Sequence, residues 1–236
     1  AAQRADGITV LAGVAASRNA HDGTSFTVGL GDGRELAAAR LLVATGRQVD
    51  LRELGVDAVG LDPTSRAIDV DDQMRVTDGV WAVGDVTGHG AFTHVATYQA
   101  DIAVRDILGR PGPPADYRAV PRVTFTDPEV GVVGLTEQQA RDTGAAIATG
   151  LADVPSTTRG WIHKAGNEGI IKVVADVDRG VLVGATSVGP WGGEVLGALA
   201  TAVHGEVPVH RLRHMIYAYP TFHRGIQDAL RQLPEG

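Results

Sequence analysis

A chain of 236 residues, 44% of them hydrophobic, can bury one large core or two small ones. Its formal charge of -7 argues against nucleic acid and anionic membrane as partners, because polyanions need a basic face. The absence of cysteine excludes disulfides, thiolate metal sites and any redox-active cysteine pair within these residues.

In chain order, residues 8–14, 25–30 and 35–38 are expected as strands of a meander, with turns at His21-Asp22-Gly23 and Gly31-Asp32-Gly33. Residues 41–44 are an unbroken apolar run ending at Thr45-Gly46, which predicts a strand buried on both faces. A helical turn at 51–54, a short strand at 67–70 and an apolar strand at 80–83 follow. Apolar residues at Val95, Ala96, Ala100, Ile102, Ala103, Ile107 and Leu108 predict a helix over 93–108, stopped by Gly109 and Pro111. Pro111-Gly112-Pro113-Pro114 cannot continue a helix or a central strand and marks a domain boundary.

Beyond it, strands are expected at 122–125, 130–135, 147–153, 169–175 and 181–188, mostly rich in β-branched residues. Helices are expected at 136–142, 191–203, 207–216 and 222–230. Thr136 can cap the first of these, with Gln139 where a capping box more often has Glu. The mixture predicts an α+β domain with an antiparallel sheet.

The most informative stretch is 80–100. Gly84 allows a sharp turn at the end of a strand, and Asp85 places an acceptor-only carboxylate suited to ligand hydroxyls. The helix after it presents unpaired backbone N–H groups that favour partial negative charge. This stretch resembles the second flavin-binding motif of the pyridine nucleotide-disulfide oxidoreductases, the family of glutathione reductase, dihydrolipoamide dehydrogenase and mercuric reductase.

Three further motifs appear in the order that family requires. Leu41-Leu42-Val43-Ala44-Thr45-Gly46-Arg47 is similar to the strand and turn that end its nicotinamide-binding domain. Residues 121–135, beginning Pro121-Arg122-Val123-Thr124-Phe125-Thr126-Asp127-Pro128-Glu129, are similar to the start of its dimerisation domain, and Tyr219-Pro220-Thr221 stands where the family usually has His-Pro-Thr. The resemblance implies α/β and α+β architecture: a partial FAD/NAD(P)-binding Rossmann-like region, then a dimerisation domain with an antiparallel sheet. It divides the chain at 1–46 (end of the NAD(P) domain), 47–118 (second FAD segment) and 119–236 (dimerisation). It assigns Gly84 and Asp85 to the flavin ribityl chain and Phe92, Thr93 and His94 to the ring edge. Gly46 falls at the domain hand-over and Phe125 near the nicotinamide. FAD and NAD(P) are the implied cofactors, and a homodimer through 119–236 the implied partner arrangement.

Two departures matter. The sequence has no G-x-G-x-x-G loop; Gly29-Leu30-Gly31-Asp32-Gly33-Arg34 fails at the last glycine and reads as a hairpin turn. These residues are therefore expected to be the C-terminal half of a longer enzyme, inactive alone, in which electrons pass from NAD(P)H through flavin to a disulfide, metal ion or other acceptor. In addition, the family's His-Glu acid-base pair is replaced by Tyr219 and Arg224, leaving Tyr219 as the catalytic candidate, alternatively as a packed interface residue. A tyrosine here is similar to mercuric reductase, although that enzyme's C-terminal cysteine pair is missing; a non-catalytic dimerisation module of the same fold is the other alternative. His210 and His214 have the i, i+4 spacing of a metal pair, but Arg211 and Arg213 flank them with positive charge, so no metal site is expected. No apolar run approaches the roughly 18 residues that span a bilayer, and a start without a signal-peptide pattern makes the cytoplasm the expected location.

Overall fold

The computed structural model describes residues 2–235, which divide between residues 66 and 67 into two units. The first unit opens with one turn of helix, α1 (Ala2–Ala5), and then a three-stranded antiparallel meander: β1 (Ala16–His21), β2 (Phe26–Leu30) and β3 (Glu35–Ala38). Both hairpins are made by aspartates. Asp22 Oδ1 accepts the N–H groups of Thr24 and Ser25, each at 2.8 Å, and Asp32 accepts from Arg34 N at 3.1 Å, closing the chain on itself as side-chain turns do.

Two expectations fail in this unit. Residues 8–14 form no strand and contain a turn at Gly13 (φ 72°); the first strand is instead β1, every residue of which is exposed. An edge strand with both faces wet carries no apolar alternation, so nothing in its sequence announces it. Residues 41–44 also form no strand and are not buried: Leu42 and Val43 are 89% and 67% exposed. No strand of this unit pairs with them, and a ladder needs a partner. Gly55 leads into a short 3-10 turn, Val56–Val59.

The second unit begins without the strand expected at 67–70. A small hairpin, β4 (Arg75–Thr77) with β5 (Val80–Trp81), is followed by a 3-10 turn, Gly84–Thr87, and by α2 (Thr93–Ile107). The strand predicted at 80–83 thus shortens to two residues. Helix α2 buries Val95, Gln99, Ile102 and Ala103, and Ile102 and Ala103 join Met74 in a small core against Trp81 and Tyr117.

The larger core belongs to a five-stranded antiparallel sheet in the order β6-β7-β10-β9-β8: β6 (Pro121–Thr124), β7 (Glu129–Gly134), β8 (Ile147–Asp153), β9 (Ile170–Asp176) and β10 (Val181–Gly189). Each expected strand is present within one residue of its predicted start. Helix α3 (Glu137–Asp142) follows β7 and is closed by a reciprocal capping box: Gln139 N donates to Thr136 Oγ1 at 3.2 Å and Thr136 N to Gln139 Oε1 at 2.9 Å. The amide side chain of Gln139 therefore takes the place Glu more often holds. Lys172 on β9 ties α3 to the sheet through Glu137 at 2.6 Å.

On the other face lie α5 (Gly192–His204), α6 (Val209–His214) and α7 (Arg224–Leu230), while a short helix not foreseen, α4 (Thr158–His163), joins β8 to β9. Leu196 and Leu199 of α5, Leu212 of α6 and Ile226 and Leu230 of α7 meet Ile171, Val173 and Leu182 of the sheet in one apolar cluster. Burial of these side chains contributes about 1.5–3 kcal/mol each.

Close approach of α7 requires a glycine beneath it: a Cβ on Gly150 of β8 would lie 2.0 Å from the Ala229 carbonyl oxygen. Gly150→Ala is expected to destabilise the protein by about 1–3 kcal/mol through overpacking. By contrast Gly197→Ala, on exposed α5 surface with open space around its Cβ, should stabilise by about 0.5–1 kcal/mol by restricting the unfolded chain. Urea unfolding of the two variants checks both signs, and equal midpoints would refute the packing argument.

Candidate functional site

The turn at residues 82–88 is built from its backbone outward. Ala82 N donates to Met74 O at 3.1 Å, fixing the end of the hairpin. Gly84 then takes φ 82°, the left-handed region in which a side chain would be strained. Its N–H donates to Gln99 Oε1 at 2.6 Å, while Gln99 Nε2 donates to Thr87 Oγ1 at 2.9 Å and to the Tyr117 hydroxyl at 2.8 Å. Gln99 is fully buried, so one amide from the middle of α2 holds both ends of the 3-10 turn.

A second tether holds the hairpin against the far end of α2. Asp106 accepts from Arg75 Nη2 and from Trp81 Nε1, each at 2.7 Å. The Arg75 guanidinium, and secondarily the indole N–H, keep the Asp106 carboxyl below the usual carboxylate range. Burial pushes the Tyr117 hydroxyl up, against the opposing pull of the Gln99 amide.

Within that frame the expected cofactor residues come together in sequence and on one loop. Gly84 is buried, whereas Asp85, Thr93 and His94 are exposed and Phe92 half-buried. Phe92 is the extended N-cap of α2 and offers no side-chain acceptor, and the first turn holds no acid, so the helix begins without an internal anion to satisfy its orphan N–H groups. The Phe92 and His94 rings stack at 5.2 Å. His94 Nε2 donates to the Pro121 carbonyl at 2.9 Å, which joins the start of α2 to the start of the sheet. Beside this loop lies a cavity of about 510 Å³ lined by His89, Phe92, Tyr117 and Arg122 among others, with His89 stacked flat on Tyr117 at 4.1 Å.

The remaining candidates are dispersed. Gly46 belongs to the first unit, at φ 114° on exposed irregular backbone. Phe125 follows β6 and is 83% exposed. Tyr219, at the cis Tyr219-Pro220 bond, is 66% exposed and donates to Thr158 Oγ1 at 3.3 Å, with the Arg224 guanidinium 5.7 Å from its ring centre. Tyr219 and Arg224, expected at the places of the family's acid-base pair, are thus neighbours. His210 and His214 are exposed on α6, and among the described residues no three histidine or acidic side chains gather to hold a metal ion. Trp191 stands 60% exposed.

Sequence reading passed over Gln99, Tyr117 and Asp106. The signal for Gln99 was present: a polar residue in the middle of an apolar helical stripe must find hydrogen bonds when buried.

Comparison with known proteins identifies the family. Residues 1–100 match the family described as pyridine nucleotide-disulphide oxidoreductase, and residues 120–230 match the dimerisation domain of the same family. The chain belongs to the pyridine nucleotide-disulphide oxidoreductases, a family of oxidoreductases, as its four motifs imply. It is 34% identical over 209 residues to a dihydrolipoyl dehydrogenase of Pseudomonas aeruginosa, covering 88% of this chain and 45% of that one. Among solved structures it is similar to LpdA from Mycobacterium tuberculosis, at 25% identity and a TM-score of 0.85 over 98% of this chain and 50% of the other. It is also similar to the HOCl-induced flavoprotein disulfide reductase RclA from Escherichia coli, at 27% identity and 0.80 over 98% and 52%. The chain spans about half the length of the relatives it matches.

Replacing Gln99 by Leu leaves the buried Gly84 N–H without an acceptor, a loss of about 1–3 kcal/mol. Amide exchange at Gly84 should accelerate in the same variant, and an unchanged exchange rate would show that another group secures the turn.

Proposed function

We propose that these residues supply the ribityl-facing turn and the dimerisation domain of an FAD-dependent NAD(P)H oxidoreductase. The observation that carries the reading is the Gly84-Asp85 turn, clamped by Gln99 in front of an uncapped helix start and followed by the family's dimerisation sheet. Asp85, exposed on that turn, would accept hydrogen bonds from the ribityl hydroxyls. The N–H groups at Thr93 and His94 would face the electron-rich edge of the ring. Bound FAD would take electrons from NAD(P)H and hand them to a disulfide, metal ion or other acceptor.

The division of labour at 1–46, 47–118 and 119–236 belongs to the same proposal, with Gly46 at the hand-over and Phe125 toward the nicotinamide. These residues contain no Gly-rich dinucleotide loop, so by themselves they bind FAD weakly and do not turn over. A homodimer through 119–236 is supported by the large apolar side chains left in water there, Ile216 at 96%, Phe125 at 83% and Trp161 at 74% exposed. No helix among the described residues is long and apolar enough to cross a membrane, and we place the protein in the cytoplasm. Tyr219 and Arg224 in place of the acid-base pair favour a second reading, a dimerisation module that has lost the redox role.

Visible absorbance and NADH or NADPH oxidation, measured on protein purified from its complete open reading frame, separate the two. Bound flavin and nucleotide oxidation are expected, with Asp85→Ala retaining at least about tenfold less flavin, since each hydrogen bond to a charged group contributes about 1.5–3 kcal/mol. A colourless protein that oxidises neither nucleotide would establish the module instead. For the 236 residues alone, sedimentation at micromolar concentration should give twice the 24.6 kDa chain mass; a monomer would remove the dimer from the proposal.

A further inference from the structure

We propose that the small pocket between α4 and α7 binds a tetrahedral oxyanion group of the phosphate or sulfate type. The pocket uses none of the residues assigned to the cofactor but takes in Tyr219, the catalytic candidate of the flavin reading, and its test reads anion binding alone, so the two readings fail separately. The pocket has a volume of about 160 Å³ and is lined by Thr158, Arg159, Tyr219, Arg224 and Asp228 among others. That is room for one oxyanion group and too little for a whole nucleotide, whose sites typically run to about 300 Å³ and more.

Its chemistry is one-sided. Arg159 lies over the Phe222 ring at 5.5 Å and Arg224 over the Tyr219 ring at 5.7 Å, contacts that hold both cations in place. Both are half-buried. Among the described residues neither has a carboxylate within ion-pair distance, whereas Glu137 takes Arg141 and Lys172, and Glu206 takes Arg118 and Arg179. The one acid of the lining, Asp228, is paired with Arg231 at 3.1 Å.

The hydroxyl groups point the same way. Those of Ser156, Thr157 and Thr221 are spent on the carbonyl oxygens of Asp153, Val154 and Ala218. Tyr219 donates to Thr158 Oγ1, so the Thr158 hydroxyl, already an acceptor, is left to donate elsewhere. Arg224 gives one N–H to Gln227 and keeps the rest of its five donors. Arg159, Arg224 and Thr158 line one pocket with a surplus of donors and of positive charge. A ligand that is all acceptor and anionic suits them together, and planar guanidinium forks match tetrahedral oxyanions in particular.

The test titrates the folded chain with inorganic phosphate and follows the arginine Nε–H signals by NMR, with chloride at equal ionic strength as the control. Saturable shifts of Arg159 and Arg224 are expected with phosphate and not with chloride. Arg159→Gln and Arg224→Gln should each weaken binding about tenfold, the loss of one charge-assisted contact, and Arg159→Lys should recover part of it. Phenyl phosphate tells the two sources apart. Binding as tight as inorganic phosphate assigns the pocket to an anionic group carried on a larger molecule, and exclusion assigns it to the free ion. Equal shifts with chloride, or affinities unmoved by both Gln variants, would overturn the proposal. The wild-type titration needs no variant to fold.

Discussion

A single buried amide governs the geometry of the candidate flavin turn. Gln99 sits at full burial in a helix face otherwise apolar, and it is tolerated there because all three of its bonds are made, to Gly84 N, Thr87 Oγ1 and Tyr117. A desolvated amide with unmade bonds costs more than an apolar residue of the same shape, so such a group enforces one arrangement of its partners. The partners come from two pieces of chain besides its own helix. The 3-10 turn, helix α2 and the strand-free stretch around Tyr117 are thereby locked in one register, and Asp85 is presented at a fixed place on the surface they form.

The C-terminal sheet solves a different problem, that of holding a long loop still. Residues 215–221 carry Tyr219 between α6 and α7, and both helices are tied down by main-chain contacts. Arg213 donates to the carbonyl oxygens of Leu230 and Leu233 at 3.0 and 2.6 Å, serving the C-terminal end of α7 where orphan carbonyls and the helix dipole favour a cation. The Tyr217 hydroxyl closes back on Leu212 O at 3.1 Å. An arginine that the sequence shows only as positive charge beside two histidines is therefore a structural staple, and the histidines next to it face water.

The sheet was legible in the sequence because its strands are long, β-branched and largely buried, and every one lies close to its expected place. The turn at Gly84 and the helix after it were legible for another reason: a short strand, the Gly84-Asp85 turn and α2 follow one another within a few residues, so local chemistry describes them. What escaped were the pieces whose reasons are non-local. Strand β1 has no buried face to pattern it. Residues 41–44 are apolar enough for a buried strand, yet a strand exists only with a neighbour to bond. Helix α4 is too short for a period to show, and Tyr117 matters solely because Gln99 and His89 reach it.

Tyr219 and Arg224 are neighbours on one surface of the second unit. The sequence holds no cysteine, so no thiol of these residues acts beside them. What the pair does bring is a hydroxyl and a fixed positive charge on one surface, with Arg159 alongside. Donors and positive charge without a free acceptor are the chemistry of anion recognition, which is what the proposed pocket would use.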